Sequence, residues 1–347
     1  MRRTRSNNRV IWCRLYCLAG LTLFVYSARG QYDPDWARHI RVGAMAGFNI
    51  KADFKLTGIQ NFNHQPGVYD DGFVRVDQTG NDGGLTTFWG YNNSSQISGQ
   101  TLTMHDTTSF APTGNASTKV DGGPFPGIDL AYGGNLWYWR RARIGWDFGF
   151  GFLPINISAN QSASGNVTQS TFTFDTSDMV GGVPPAGYQG PFQAPSGSLP
   201  PFLLPSTPTS TNTTTTQGGT ITGTQTLDVM LYTFRLGPSV YWDFNRYLGM
   251  SVGVGPAVGI VSGDLKFDEI ISTGTTVHSK GQVSGTDVVY GGYVNASLMY
   301  HVMRNGDFYL SAQYMPLGKA TISGQGRQGR LDLSGQVYIS AGVNWPF

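Results

Sequence analysis

Cysteine is nearly missing from this chain: among 347 residues only Cys13 and Cys17 occur, both near the start. Glutamate is scarcer still, with Glu269 alone, and charged residues make up 13%, about half the ~25% of a soluble domain. Beyond the first 30 residues no run reaches the ~20 apolar residues of a transmembrane helix. A membrane-spanning form of the remainder must therefore cross as strands, because only helices and closed barrels satisfy the backbone inside lipid. What is abundant is glycine, at 48 residues, and aromatic side chains, at 13%.

The start of the chain reads as an export signal. Arg2, Arg3, Arg5, Arg9 and Arg14 form a basic region, Leu15 to Tyr26 is mostly apolar, and Ala28-Arg29-Gly30 is a small-x-small cleavage site before Gln31. The expected organisation is a signal peptide over 1–30 and a mature barrel over 31–347. Neither cysteine follows a lipoprotein-type site, and both leave with the signal. The mature chain then has no disulfide, metal-thiolate site or thiol nucleophile. Losing the six Arg of residues 1–30 converts a net charge of +2 to about −4. That balance disfavours a nucleic-acid partner.

Period-2 alternation recurs in eight segments. The first sets Ile40, Val42, Ala44, Ala46, Phe48 and Ile50 against Arg41, Gly43, Gly47, Asn49 and Lys51. The third sets Ile144, Trp146, Phe148, Phe150 and Phe152 against Arg143, Gly145, Asp147, Gly149 and Gly151. The fifth, from Leu248 to Ile260, has a second face almost without side chains. In the last, Leu331, Leu333, Val337, Ile339, Ala341, Val343, Trp345 and Phe347 share a face. Short joins at 139–142, 244–246 and 304–307 alternate with long ones at 57–125, 159–226, 264–286 and 323–330, the turn-and-loop asymmetry of a transmembrane barrel. The 160–225 stretch, rich in Ser, Thr, Pro and Gly, reads as a mobile loop unable to bury a core.

Alternation does not say which face points outward. A soluble barrel would show water a Gly/Ser/Asp face poor in Lys and Glu, and would have to enclose Trp146, Phe148, Phe150, Phe152, Phe234 and Trp242 in a narrow interior. The reverse arrangement puts Tyr138, Trp146, Trp242, Tyr300, Phe308 and Trp345 near the short turns as an aromatic girdle. The predicted fold is all-β: an eight-stranded antiparallel up-and-down transmembrane barrel with short periplasmic turns and long extracellular loops. In that register Arg41, Lys51, Asp129, Arg143, Asp147, Arg235, Asp243, Asp287, Lys319 and Asp332 project into the lumen as a network of opposite charges.

The ending Ser340, Gly342, Trp345 and Phe347 resembles the C-terminal assembly signal of bacterial outer-membrane barrels. The mature chain as a whole resembles the small eight-stranded outer-membrane proteins of the OmpA membrane-domain, OmpX and OmpW kind, without a peptidoglycan-binding domain. The resemblance lies in architecture, signal and ending rather than in a functional motif. It implies a monomer in the bacterial outer membrane that meets the barrel-assembly machinery during biogenesis, membrane lipid throughout, and an extracellular ligand through its loops.

Site chemistry is sparse. His105, Asp106 and Ser109 are residue types that some eight-stranded lipid-modifying enzymes use, but their spacing matches no motif, and polar residues in a polar loop is the simpler reading. His301 is expected on the lumen face, His39 at the membrane entry, and His64, His278 and Glu269 in loops. No His pair has metal-ligand spacing, and Asp82 lacks the later acidic partner of a calcium loop. The expectation is a chain without catalytic, metal or cofactor residues, structural or surface-interacting in role. A narrow solute channel is the alternative, and a lipid A-modifying enzyme the next.

Overall fold

The computed structural model describes residues 38–346 except 61, 63–64, 76–83, 115, 140–141, 180–181, 191–201, 273–275 and 304–305. The export signal over 1–30 and Phe347 lie outside the described residues. The principal strands are β1 (Arg38–Phe48), β2 (Ile50–Leu56), β3 (Thr101–Pro112), β4 (Ser117–Gly122), β5 (Phe125–Trp139), β6 (Ala142–Asp175) and β7 (Ser210–Asp243). They continue as β8 (Leu248–Ser272), β9 (Thr276–Met303), β10 (Gly306–Tyr314), β11 (Lys319–Gly324), β12 (Arg327–Asp332) and β13 (Val337–Pro346).

Antiparallel pairing closes a ring in the order β1, β5, β6, β7, β8, β9, β10, β13 and back to β1. The ring removes the free edges that an open sheet would expose. The β7–β8 ladder pauses once. It pairs as far as Arg235 with Ala257 and resumes at Ser239 with Gly253, passing Pro238 and Pro256, which have no N–H to give. In that gap Gly237 lies against the Val254 carbonyl and Gly255 against the Leu236 carbonyl, where a side chain would collide.

Four ring strands run far past the others: β6 and β7 have 34 residues each, β8 25 and β9 28. A membrane needs only ~9–11 residues per strand. Their far halves face a second sheet in the order β4, β2, β12, β11, which lies against β6 on one side and β9 on the other. β1 reaches β2 through Asn49, whose positive φ of 57° is a conformation Asn tolerates. The Asn49 side chain donates to the Gly335 carbonyl at 2.8 Å, fixing the bend.

This arrangement corrects the long-loop reading. Within 159–226, residues up to Asp175 belong to β6 and those from Ser210 to β7, paired from Ala159↔Gln225 to Thr173↔Ser210 with one register shift between Gly165 and Asn166. Much of 264–286 is strand as well. The Ser/Thr-rich stretch does bury a core: Phe110, Val167, Ile221, Ile271 and Val277 pack together in it. Threonine is β-branched and suits a strand whose outer face meets water. Hydroxyls there pair across the ladder, Ser158 with Thr226 at 2.9 Å and Ser262 with Thr286 at 2.9 Å.

Along each long strand both faces exchange character at one level. On β6 the interior runs Asp147, Gly149, Gly151 and then Leu153, Ile155, Ile157, while the exterior runs Phe148, Phe150, Phe152 and then Asn156, Ser158, Asn160. β7 does the same, from exterior Leu236, Phe234, Tyr232 and Met230 to Asp228 and Thr226. The short-turn tier is thus polar within and apolar without, and the far tier the reverse. Twenty-four buried residues from both sheets fill the far tier, among them Phe54, Leu153, Leu231, Leu265, Leu317 and Leu331. Fully burying one such side chain is worth ~1.5–3 kcal/mol, so this tier is held by ordinary core packing.

Candidate functional site

The short-turn tier encloses a polar centre. His39 and Arg41 come from β1, Asp129 from β5, Asp147 from β6, Arg235 and Tyr241 from β7, and all six are buried. Alternation aims them inward, and small neighbours make room: Arg235 lies flat against Gly149, where a Cβ would meet its guanidinium. Arg41 Nη2 donates to Asp147 Oδ2 at 2.6 Å, and the other Asp147 oxygen accepts from Tyr241 at 2.8 Å and meets His39 Nε2 at 2.8 Å. Tyr241 also reaches His39 at 2.7 Å, which closes a triangle. Arg235 Nη1 stands 2.8 Å from Asp129 Oδ1, an ion pair whose angle is not that of a hydrogen bond. Two arginines and two aspartates balance in charge, and the pairing offsets the cost of burying them.

Nearer the short turns a second, half-exposed group follows. Arg143 pairs with Asp243 at 2.9 Å, and His301 Nδ1 with Asp307 at 2.7 Å. Asp307 also accepts from Asn344 at 3.1 Å. Asp287 is half-buried at the tier boundary and accepts the Thr321 backbone N–H at 2.9 Å.

Three of the residues expected in the lumen point elsewhere. Lys51 pairs with Asp121 at 3.3 Å on the outer wall of the far tier, with 52% and 80% of their side chains exposed. Lys319 and Asp332 pair at 2.9 Å on the same wall. The reason is the break at Asn49 and the matching ones at 315–318 and 333–336, each of which reverses which parity faces in. Ile50, Leu331 and Leu333 consequently lie in the core rather than on the lipid face. Asp332 is held at about 2: burial works to raise it, but hydrogen bonds from Ser334 and Lys319 outweigh that.

Of the expected assembly residues, Ser340 is buried on the lumen face, Gly342 sits against the Val42 carbonyl of β1, and Trp345 is 60% exposed at the short-turn rim.

The far tier holds a polar site beyond the alternation expected over Leu248 to Ile260, in what was expected to be a loop from 264 to 286. Glu269 is buried beneath Arg327, whose Nε and Nη2 reach Glu269 Oε2 at 2.8 and 2.6 Å. Gln225 donates to its other oxygen at 2.7 Å, Arg327 donates to Ser279 at 2.8 Å, and the guanidinium stacks 3.7 Å from the Phe267 ring centre. The missed signal was the continued spacing of Leu265, Phe267, Glu269 and Ile271 along one face.

Beyond lies a head with its own apolar cluster around Trp89, Leu102, Met104, Phe174 and Leu204. Here β3 carries His105, Asp106 and Ser109. Asp71 takes the His105 backbone N–H at 2.8 Å and meets its ring Nδ1 at 2.6 Å, while Asp70 accepts from the Thr107 N–H and hydroxyl. The Asp71 hydrogen bond raises the His105 pKa, against the opposing effect of burial. Ser109 faces Gln60 and Thr168 in the strand ladders, apart from the His105–Asp71 pair. Among the described residues no cluster of His, Cys, Asp and Glu has metal-binding geometry.

No family model matches the chain, and no curated protein does. Among solved structures, it is similar to Ail of Yersinia pestis at 10% identity and a TM-score of 0.26, with 90% of this chain and 99% of that one covered. It is similar also to the outer-membrane protein OprG of Pseudomonas aeruginosa at 11% identity and a TM-score of 0.33, covering 90% and 95%. The outer-membrane protease OmpT of Escherichia coli aligns at 10% identity and a TM-score of 0.31, covering 92% and 99%. These likenesses are distant, and the barrel rests on its own strand pairings.

Proposed function

We propose that this chain is an integral outer-membrane barrel that does not conduct and is not an enzyme. It works by holding a rigid β-structured extension and head beyond the bilayer for contact with partners outside the cell. The observation that carries this reading is the exchange of faces along β6 to β9. Where the exterior turns from apolar to polar, the interior turns from polar to apolar, so the wall leaves lipid at the level where the lumen becomes a packed core. Isolated soluble domains do not show water a belt containing Phe148, Leu236, Val254, Leu298, Leu310 and Ile339, all at least 41% exposed.

The short turns then face the periplasm and the head faces outward. The barrel is a monomer delivered by the assembly machinery that reads its C-terminal strand. The non-enzymatic part of the proposal draws on His105: ring and backbone are both tied to Asp71, a pin between a turn and a strand. The solute-channel alternative would need a water path through Leu153, Leu231, Val261 and Leu317.

Planar-bilayer recording of the purified full chain tests the reading. We expect small or no steady conductance, unchanged in Arg143→Ala/Arg235→Ala, because the seal is the apolar core and not those two side chains. Stable porin-like openings in the unmodified protein would replace this reading with the channel.

A further inference from the structure

We infer that the short-turn rim over β1 and β5 to β8 is a docking surface for the phosphate headgroups of anionic phospholipids in the adjoining leaflet. The inference rests on the membrane reading above and adds a lipid class and a location to it.

Lysine is confined to one end of the barrel. Every lysine after residue 30 lies on the far tier: Lys51, Lys55, Lys119, Lys266, Lys280 and Lys319. The short-turn end carries only arginine. Arg38 begins β1 and Arg246 lies in the β7–β8 turn, both exposed. Arg38 pairs with Gly134 of β5, and Ala142 of β6 with Trp242 of β7, so the start of β1 and the β7–β8 turn fall on one arc of the ring.

Arg143, on the same arc, is already matched by Asp243. Arg38 and Arg246 make no ion pair among the described residues. Arg246 instead rests over the Tyr247 ring at 4.6 Å, on an exposed turn. Around them stand Trp137 and Trp139, 74% and 72% exposed, with Phe244 and Tyr247 at 46% and 50%. Consecutive strand residues normally alternate in exposure, yet Leu136 to Trp139 are all exposed past a bulge at Asn135/Trp137.

Amphipathic aromatic rings settle at headgroup depth, and guanidinium groups grip phosphate oxygens two at a time where lysine offers a point charge. Arginines with no ion pair among the described residues, at the edge of a lipid-facing belt and set among interfacial aromatics, are complementary to a phospholipid phosphate. The charge favours lipids with net negative heads over zwitterionic ones.

The full chain is refolded into vesicles of phosphatidylcholine with and without phosphatidylglycerol, extracted in detergent, and its retained lipids identified by native mass spectrometry. The wild type should retain phosphatidylglycerol several-fold over phosphatidylcholine. Arg38→Gln/Arg246→Gln should abolish that preference with heat-shifted gel mobility intact, Arg246→Lys should keep part of it, and Lys266→Gln should leave it unchanged. Equal retention of both lipids by the wild type, or an unaltered preference in the double variant, overturns the inference. So does preferential retention of added lipid A, which would place the rim in the other leaflet. A double variant that fails to insert leaves the wild-type comparison and Arg246→Gln alone to decide. Failure of the wild type to insert at all would instead refute the membrane reading, a separate outcome visible in gel mobility before any lipid is weighed.

Discussion

Arg327 Nη2 lies 2.6 Å from Glu269 Oε2, with each side chain only 1% exposed. The one glutamate of the chain thus serves as the buried counter-ion of β12 against β8, in a tier filled mainly with apolar residues. Removing one partner leaves the other charged and sealed from water, which costs ~3–5 kcal/mol. Glu269→Leu should therefore lower the urea midpoint of far-tier unfolding strongly. Glu269→Leu/Arg327→Met should recover most of the loss, because neither charge remains. Equal destabilisation by the single and double changes would show that the pair does more than neutralise itself.

Packing of the far tier gives a second prediction. Leu231 and Leu153 are fully buried at its base, and Leu→Ala at such sites costs ~2–5 kcal/mol. Each change should speed protease cleavage in β6 and β7 beyond the belt, while heat-shifted mobility of the inserted barrel persists. Unaltered cleavage would mean that this tier is not a cooperative core.

Excision of 162–225 should not be neutral. It removes Val167 and Ile221 from the cluster with Phe110, Ile271 and Val277 and unpairs β3 from β6. The shortened protein should bind a hydrophobic dye that the intact one ignores. A variant that stays dye-silent and protease-resistant would restore the flexible-loop interpretation.

His105 supplies a pH prediction. Its pKa is raised, chiefly by the hydrogen bond to Asp71. A raised value in the folded state means that the stabilisation is full below ~6.5, the unfolded value, and fades as pH rises through the folded one. Histidine proton NMR should show a midpoint above 6.5 that falls in Asp71→Asn, and hydrogen exchange in β3 should quicken on the alkaline side of that midpoint. A midpoint unmoved by Asp71→Asn would separate the pair electrostatically.

Gly149 tests the lumen. A Cβ there would meet the Arg235 guanidinium, and overpacking of this kind costs ~1–3 kcal/mol. Gly149→Val should reduce refolding yield into vesicles, and Gly149→Val/Arg235→Ala should regain part of it.

The sequence by itself determined the class of this protein. Strict alternation over Arg143–Phe152 and Leu248–Ile260 fixes strands, and the near absence of Lys and Glu opposite the aromatics fixes which face meets lipid, because period 2 is a local property of a pleated chain. It also placed Arg41, Asp129, Asp147 and Arg235 on one inward face, though not who pairs with whom. Only the tertiary structure decided where the strands end and what fills them. Alternation continues unbroken through Leu153 and Ile155 while the meaning of each face reverses. That reversal depends on whether lipid or water lies outside, and on β2, β11 and β12 arriving from distant sequence to cover the apolar interior. Asn49 shows the limit most plainly: one residue with φ of 57° turns Lys51 out and Ile50 in, and no periodicity in its neighbours announces it.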